Sequence, residues 1–195
     1  MTSGPCVTVL AEDKGMSGEG LSAFVFACVS HVVGGDRWSP QQEIDWRFLG
    51  SNSAVLRACG EVGRIAPDGR PVVALLDSDR ILRAFITRPA SLDEVPATIR
   101  AESDRPAQLE VLLLKRNAES VIKAVAACDA DLKGSDHVRR ALAKDAVARD
   151  LVLRVAARSQ SVRECVLKEV PSLKALVTRL VEILGERRPG VPVHP

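Results

Sequence analysis

Pro71-Val72-Val73-Ala74-Leu75-Leu76, running straight into Asp77-Ser78-Asp79-Arg80, is the stretch on which the fold turns. It is the clearest strand in the chain. Its apolar residues face both ways, as those of a central parallel strand must when both sheet faces are covered. The abrupt change to Asp77 and Asp79 marks a strand end, and the turn composition of Pro67-Asp68-Gly69-Arg70 marks its start.

Outward from this stretch, two further runs repeat the pattern. Cys6-Val7-Thr8-Val9-Leu10-Ala11 is apolar and β-branched and stops at Glu12-Asp13-Lys14-Gly15. Leu109-Glu110-Val111-Leu112-Leu113-Leu114 is another buried strand, followed by Lys115-Arg116-Asn117-Ala118-Glu119 and a helix to about Ala127. Ile44, Trp46 and Phe48 alternate with Asp45 and Arg47 as in a half-buried strand. Leu21, Phe24, Val25, Cys28, Val29 and Val32 share one helical face, with Gly34-Gly35 as the stop. Residues 53–65 are weakly helix-compatible, and Ser91-Leu92-Asp93-Glu94 reads as a capping box. Strand and helix thus alternate, which implies an α/β fold with a mostly parallel sheet and helices on both faces.

The last third is helical. Ser135 or Asp136 can cap a helix running to about Ala157, and Ser161-Val162-Arg163-Glu164 reads as the capping box of the next. Pro171 interrupts or restarts that helix. Leu173, Leu176, Val177, Leu180, Val181 and Leu184 then form one core-facing stripe. The expected organisation is an α/β domain over residues 1–131, a helical extension over 132–185 and a loose tail over 186–195.

Composition narrows the function. With 195 residues and 46% hydrophobic content the chain fills one ordinary core but hardly two large ones. No apolar run spans a membrane and no signal segment opens the chain, so a cytoplasmic protein is expected. Cys6, Cys28, Cys59, Cys128 and Cys165 lie far apart, with neither a Cys-x-x-Cys pair nor zinc-ligand spacing, and are expected to be buried free thiols. His31, His137 and His194 are as scattered, which leaves a histidine-led triad without support. The formal charge of +2 hides an asymmetry. Residues 1–131 carry 14 basic and 18 acidic side chains, residues 132–195 carry 13 basic and 7 acidic. A basic helical end suits a polyanion such as nucleic acid, although charge alone favours a solvated Arg-rich helix surface.

Ligands of a parallel sheet collect beyond the carboxyl ends of its strands. Three strands here lead into acids: Glu12 after the first, Asp77 and Asp79 after the central one, Glu119 after the last. Asp77 and Asp79 project to one side if the backbone stays extended. Carboxylates crowded away from water repel unless a cation offsets them. Hard oxygen ligands without His or Cys select Mg2+ or Mn2+ over zinc.

These residues resemble the pattern of the Toprim family, the catalytic domain shared by topoisomerases, bacterial primases, OLD-type nucleases and small phage-defence proteins. Its glutamate after the first strand is matched by Glu12, and its Asp-x-Asp after a central strand by Asp77 and Asp79. The resemblance covers roughly residues 6–130 and extends to Arg116-Asn117-Ala118-Glu119, with Val170-Pro171-Ser172-Leu173 similar to the helical tail of that group. It departs from the family where Asp13 and Lys14 separate Glu12 from Gly15. Lys14 either contacts phosphate or pairs with Asp13.

The resemblance implies a metal-dependent nuclease in which Glu12, Asp77, Asp79 and Arg116 are catalytic and Glu12, Asp77, Asp79 and Glu119 hold the metal. It also implies a partner ATPase or sensor protein, in a phage-defence or toxin system. Arg80 and Arg116 are placed to stabilise transition-state charge or to act as salt-bridge partners. The chain has no Tyr, which excludes a tyrosyl intermediate within it, and with 195 residues the separate recognition domains of primases are not expected in it, so hydrolysis is the expected reaction. The alternative is a non-catalytic interaction module that binds a partner protein or nucleic acid. Gly15-Met16-Ser17-Gly18-Glu19-Gly20 lacks the Lys and spacing of a phosphate loop.

Overall fold

The computed structural model describes residues 4–12, 16–33, 40–78, 81–83, 85, 91–114 and 118–186. Asp13, Lys14, Gly15, Gly34-Gly35, Asp79, Arg80, Arg116 and the tail from 187 onward lie outside these residues. Two compact units interleave in sequence. One comprises Met1–Lys14 and Gln41–Arg116, the other Gly15–Pro40 and Asn117–Pro195.

The first unit holds β1 (Val7–Ala11), β2 (Ile44–Phe48), β3 (Val72–Asp77) and β4 (Leu109–Leu114), all parallel in the order β2-β1-β3-β4. A single helical turn, α2 (Pro40–Glu43), leads into β2. β3 is central, beside β1, as its double-sided apolar pattern requires. Leu10, Ala74, Leu76 and Val111 on one sheet face pack with Val55 and Cys59 of α3 (Asn52–Gly60), Val62 and Ile65 of α4 (Val62–Ile65) and Ile99 of α5 (Val95–Ala101). Val7, Val9, Val73 and Leu75, on the opposite face, are buried as well. The turn before β3 needs Gly69, whose φ of +81° lies in the left-handed region and whose N–H donates to the Ala66 carbonyl. Ser91 makes no side-chain cap. A 3-10 turn over Leu92–Glu94 leads into α5 instead of the capping box expected there.

The amino ends of the strands are tied by Arg70, whose side chain is 13% exposed. Its Nε donates to Thr8 Oγ1 at 2.9 Å, and Thr8 Oγ1 donates to Asp45 Oδ2 at 3.4 Å. Arg70 also lies 3.5 Å from Asp45 and 3.1 Å from Asp68, while Arg47 holds Asp45 from the other side at 2.7 Å. Thr8 is fully buried, so loss of the guanidinium strips a buried hydroxyl of its donor. Arg70→Ala is expected to destabilise the protein by about 2 kcal/mol, read from the urea midpoint. An unmoved midpoint would show that the network contributes nothing.

The second unit is helical: α1 (Met16–Val33), α6 (Ala118–Cys128), α7 (Asp136–Leu142), α8 (Ala146–Arg158), α9 (Gln160–Glu169) and α10 (Pro171–Glu186). α1 packs against α8 and α10. A Cβ on Gly20 would sit 2.8 Å from the Asp150 Cα, so glycine there lets the two backbones meet. The glycine run after β1 thus serves helix packing at Gly20. The α10 stripe Leu173, Leu176, Val177, Leu180, Val181 and Leu184 is buried as expected.

Three expectations change here. The helix expected from Ser135 to Ala157 is two. Ser135 caps α7, the chain turns through Lys144 at φ 70°, and Asp145 caps α8 by accepting from the Ala148 N–H. Arg140 braces Asp145 at 2.6 Å, and the Ala148 N–H followed by Arg140 holds that carboxyl below its ordinary range. Next, α9 is capped by Ser159, which accepts from the Val162 N–H, and Ser161 lies within the helix. Last, Cys128 and Cys165 are joined in a disulfide between α6 and α9. Cys6, Cys28 and Cys59 are buried thiols. Among the described residues no helix is long and apolar enough to cross a membrane.

Candidate active site at the carboxyl edge of the sheet

Parallel register brings two of the expected acids to one edge. Ala11 of β1 lies opposite Leu75 of β3, so Glu12, one residue on, falls one step short of Asp77. An interstrand spacing of ~4.8 Å and a rise of ~3.3 Å place the two backbone positions roughly 6 Å apart. Both side chains are half-buried. At this edge each acid is anchored through backbone hydrogen bonds next to it. Leu49 N–H donates to the Ala11 carbonyl at 2.9 Å, and Ser78 N–H donates to the Leu114 carbonyl at 3.1 Å.

Asn52 provides a further anchor. Ser51 caps α3 by accepting from the Ala54 N–H, and Asn52, the first residue of that helix, is 6% exposed. Its Nδ2 donates to the Asp77 carbonyl at 3.3 Å. Its Oδ1 is buried and has no hydrogen-bond partner among the described residues. An amide oxygen left without a donor inside a protein costs free energy, and is commonly found where water or an ion completes the shell.

Glu12, Asp77 and Asn52 therefore offer oxygen donors at one edge, a donor type that fits Mg2+ or Mn2+. Among the described residues no group of three or more His, Cys, Asp or Glu side chains is placed to hold a metal. Asp79 and Arg116 lie outside those residues. Glu119 opens α6 in the helical unit, where Arg149 of α8 approaches its Oε1 at 3.6 Å and also donates through Nε to the Ala141 carbonyl at 2.8 Å.

Asn52 was not visible as a site residue in the sequence. Its signal is the Ser51-Asn52 pair that opens a helix directly after a strand, but Ser and Asn open loops as readily. Asn52→Ala is expected to cost about 1 kcal/mol and to speed amide exchange at Ser78, by loosening the end of β3. Unchanged exchange at Ser78 would refute the anchoring role.

Two solved structures, both of the C-terminal region of the Xanthomonas campestris pv. campestris OLD protein, are similar to this chain at 15% identity, with TM-scores of 0.38 and 0.41. Each match covers 94% of this chain, and 96% or 98% of the other. No family model matches the sequence, and no curated protein does.

Proposed function

We propose that the protein is a metal-dependent nuclease of the Toprim class, hydrolysing phosphodiester bonds with Mg2+ or Mn2+. The observation that carries this reading is the β1–β3 register, in which Glu12 stands one step short of Asp77 at the same carboxyl edge of a parallel sheet. In this reading Glu12, Asp77 and Asp79 hold the metal. When bound, the ion supplies Lewis-acid polarisation of the scissile phosphate.

The chain's own groups do the rest. The Glu12 carboxylate accepts the proton of the attacking water. Asn52 holds the Asp77 carbonyl and so limits movement of the acid beside it. Arg116 offsets the charge that develops on the phosphate. The basic helices after residue 132 hold the nucleic acid, so binding weakens as salt rises. A partner ATPase or sensor, and a setting in phage defence, follow from the family resemblance alone and are part of the same proposal.

The test is cleavage of labelled single- and double-stranded DNA and RNA with Mg2+ or Mn2+ and with a chelator. Metal-dependent cleavage of any of these is the expected result. No cleavage of any of them, alone or with a partner, would overturn the proposal.

A further inference from the structure

The helical unit contains a cavity of about 600 Å³ lined from α1, α9 and α10. Cys28 and Val32 of α1 and Leu167 of α9 supply its apolar wall, while Arg163, Lys168 and Lys174 supply cationic groups. On α9 the lining residues Gln160, Arg163, Glu164, Leu167 and Lys168 recur at three- and four-residue spacing. They form one helical face, distinct from the face of the buried Val162 and Val166.

The charges are unbalanced. Three cations meet one carboxylate, Glu164, and that carboxylate accepts from Gln160 Nε2 at 2.8 Å. None of the three cations has an ion-pair partner among the described residues. Arg163 spends one N–H on the Ala157 carbonyl at 2.5 Å. The wall beside it is poorly solvated, since burial pushes the Cys28 thiol up to about 12 although the Arg163 charge pulls the other way. A cation next to a desolvated wall attracts an anion more strongly than one in open water.

We propose that this cavity binds a small organic anion with an apolar body, its acidic head on Arg163, Lys168 and Lys174 and its body against Cys28, Val32 and Leu167. Its volume falls within the ordinary range for small-molecule pockets. A neutral apolar ligand leaves three cations unanswered, and a bare inorganic anion leaves the apolar wall wet. An amphiphilic acid satisfies both. The cavity shares no residue with the carboxyl edge of the sheet, and its proposal stands or falls independently of the nuclease reading.

Calorimetric titration with decanoate tests it, with decanol as the same chain lacking charge and inorganic phosphate as charge lacking a chain. Decanoate is expected to bind saturably at one site, and decanol and phosphate each about tenfold more weakly or worse. Arg163→Gln is expected to weaken decanoate by about tenfold. The exposed pair Lys168→Gln with Lys174→Gln, which has no structural partner to lose, should do the same with an unchanged circular dichroism spectrum. Vesicles of phosphatidylglycerol separate a free acid from a lipid surface. Sedimentation with vesicles but no decanoate binding would overturn the soluble-ligand assignment. Decanol binding as tightly as decanoate, phosphate matching it, or the lysine variant binding unchanged would overturn the proposal.

Discussion

Glu12→Gln is expected to lower the rate of nucleic-acid cleavage by about two to four orders of magnitude, the usual loss when a positioned general base is removed, while leaving the protein folded. The substitution keeps size and shape, removes one negative charge and replaces one accepting oxygen by a donating NH2. Glu12 sits just past β1, outside the buried apolar core of the strands, and the neighbouring strand pairing runs through the Ala11 carbonyl and Leu49 N–H, which the side chain does not supply.

Asp77→Asn extends the test to binding. The backbone carbonyl of residue 77 still accepts from Asn52, so the end of β3 stays in place while a formal ligand charge is lost. Magnesium affinity measured by calorimetry should fall at least about tenfold. Cleavage surviving Glu12→Gln together with unchanged magnesium affinity in Asp77→Asn would remove this edge as the active site.

Reduction of the Cys128–Cys165 disulfide is expected to have the largest effect on stability. The bond closes a loop of sequence separation 37 between α6 and α9. By the chain-entropy account, cross-linking a loop of that length stabilises the fold by about 4 kcal/mol, or about 10 °C in Tm. Cys128 and Cys165 are half-buried, so a small reductant reaches them. A thermal scan with and without reductant, and on Cys165→Ser, reads the effect. Thiol titration of the untreated protein reacting at all five cysteines under denaturing, non-reducing conditions, or a Tm indifferent to reductant, would show that the bond does not form. The sequence reading of five reduced thiols rested on their spacing. Helix packing decides the pairing, because α6 and α9 meet in space although their cysteines lie far apart along the chain.

Much of the first unit was legible. β1 and β3 are short apolar runs that lead into acids, and a strand buried on both faces has no other economical reading; β4, expected to be equally buried, is an edge strand whose Glu110, Leu112 and Leu113 are only partly buried. From them follow the parallel sheet and the central place of β3. The α10 stripe was equally plain, because a single apolar face at helical spacing leaves one way to pack.

Elements whose signal is shared between alternatives were read less well. Ser135 and Asp145 both cap helices, and nothing local between them outweighs the helical pattern until Lys144 takes a left-handed conformation. Ser159 and Ser161 are both competent caps. The chain's approach from α8 selects the first.

By itself, then, the sequence determined the strands, their parallel pairing and the acids at their ends, since these depend on local apolar pattern and on the alternation of strand and helix. Only the tertiary structure decided the rest. It grouped α1 and the helices from α6 onward into one compact unit, paired Cys128 with Cys165, set Asn52 against the Asp77 carbonyl and left three cations around an apolar cavity. Each of these depends on which distant surfaces bury one another, and long-range packing of that kind leaves no periodic trace along the chain.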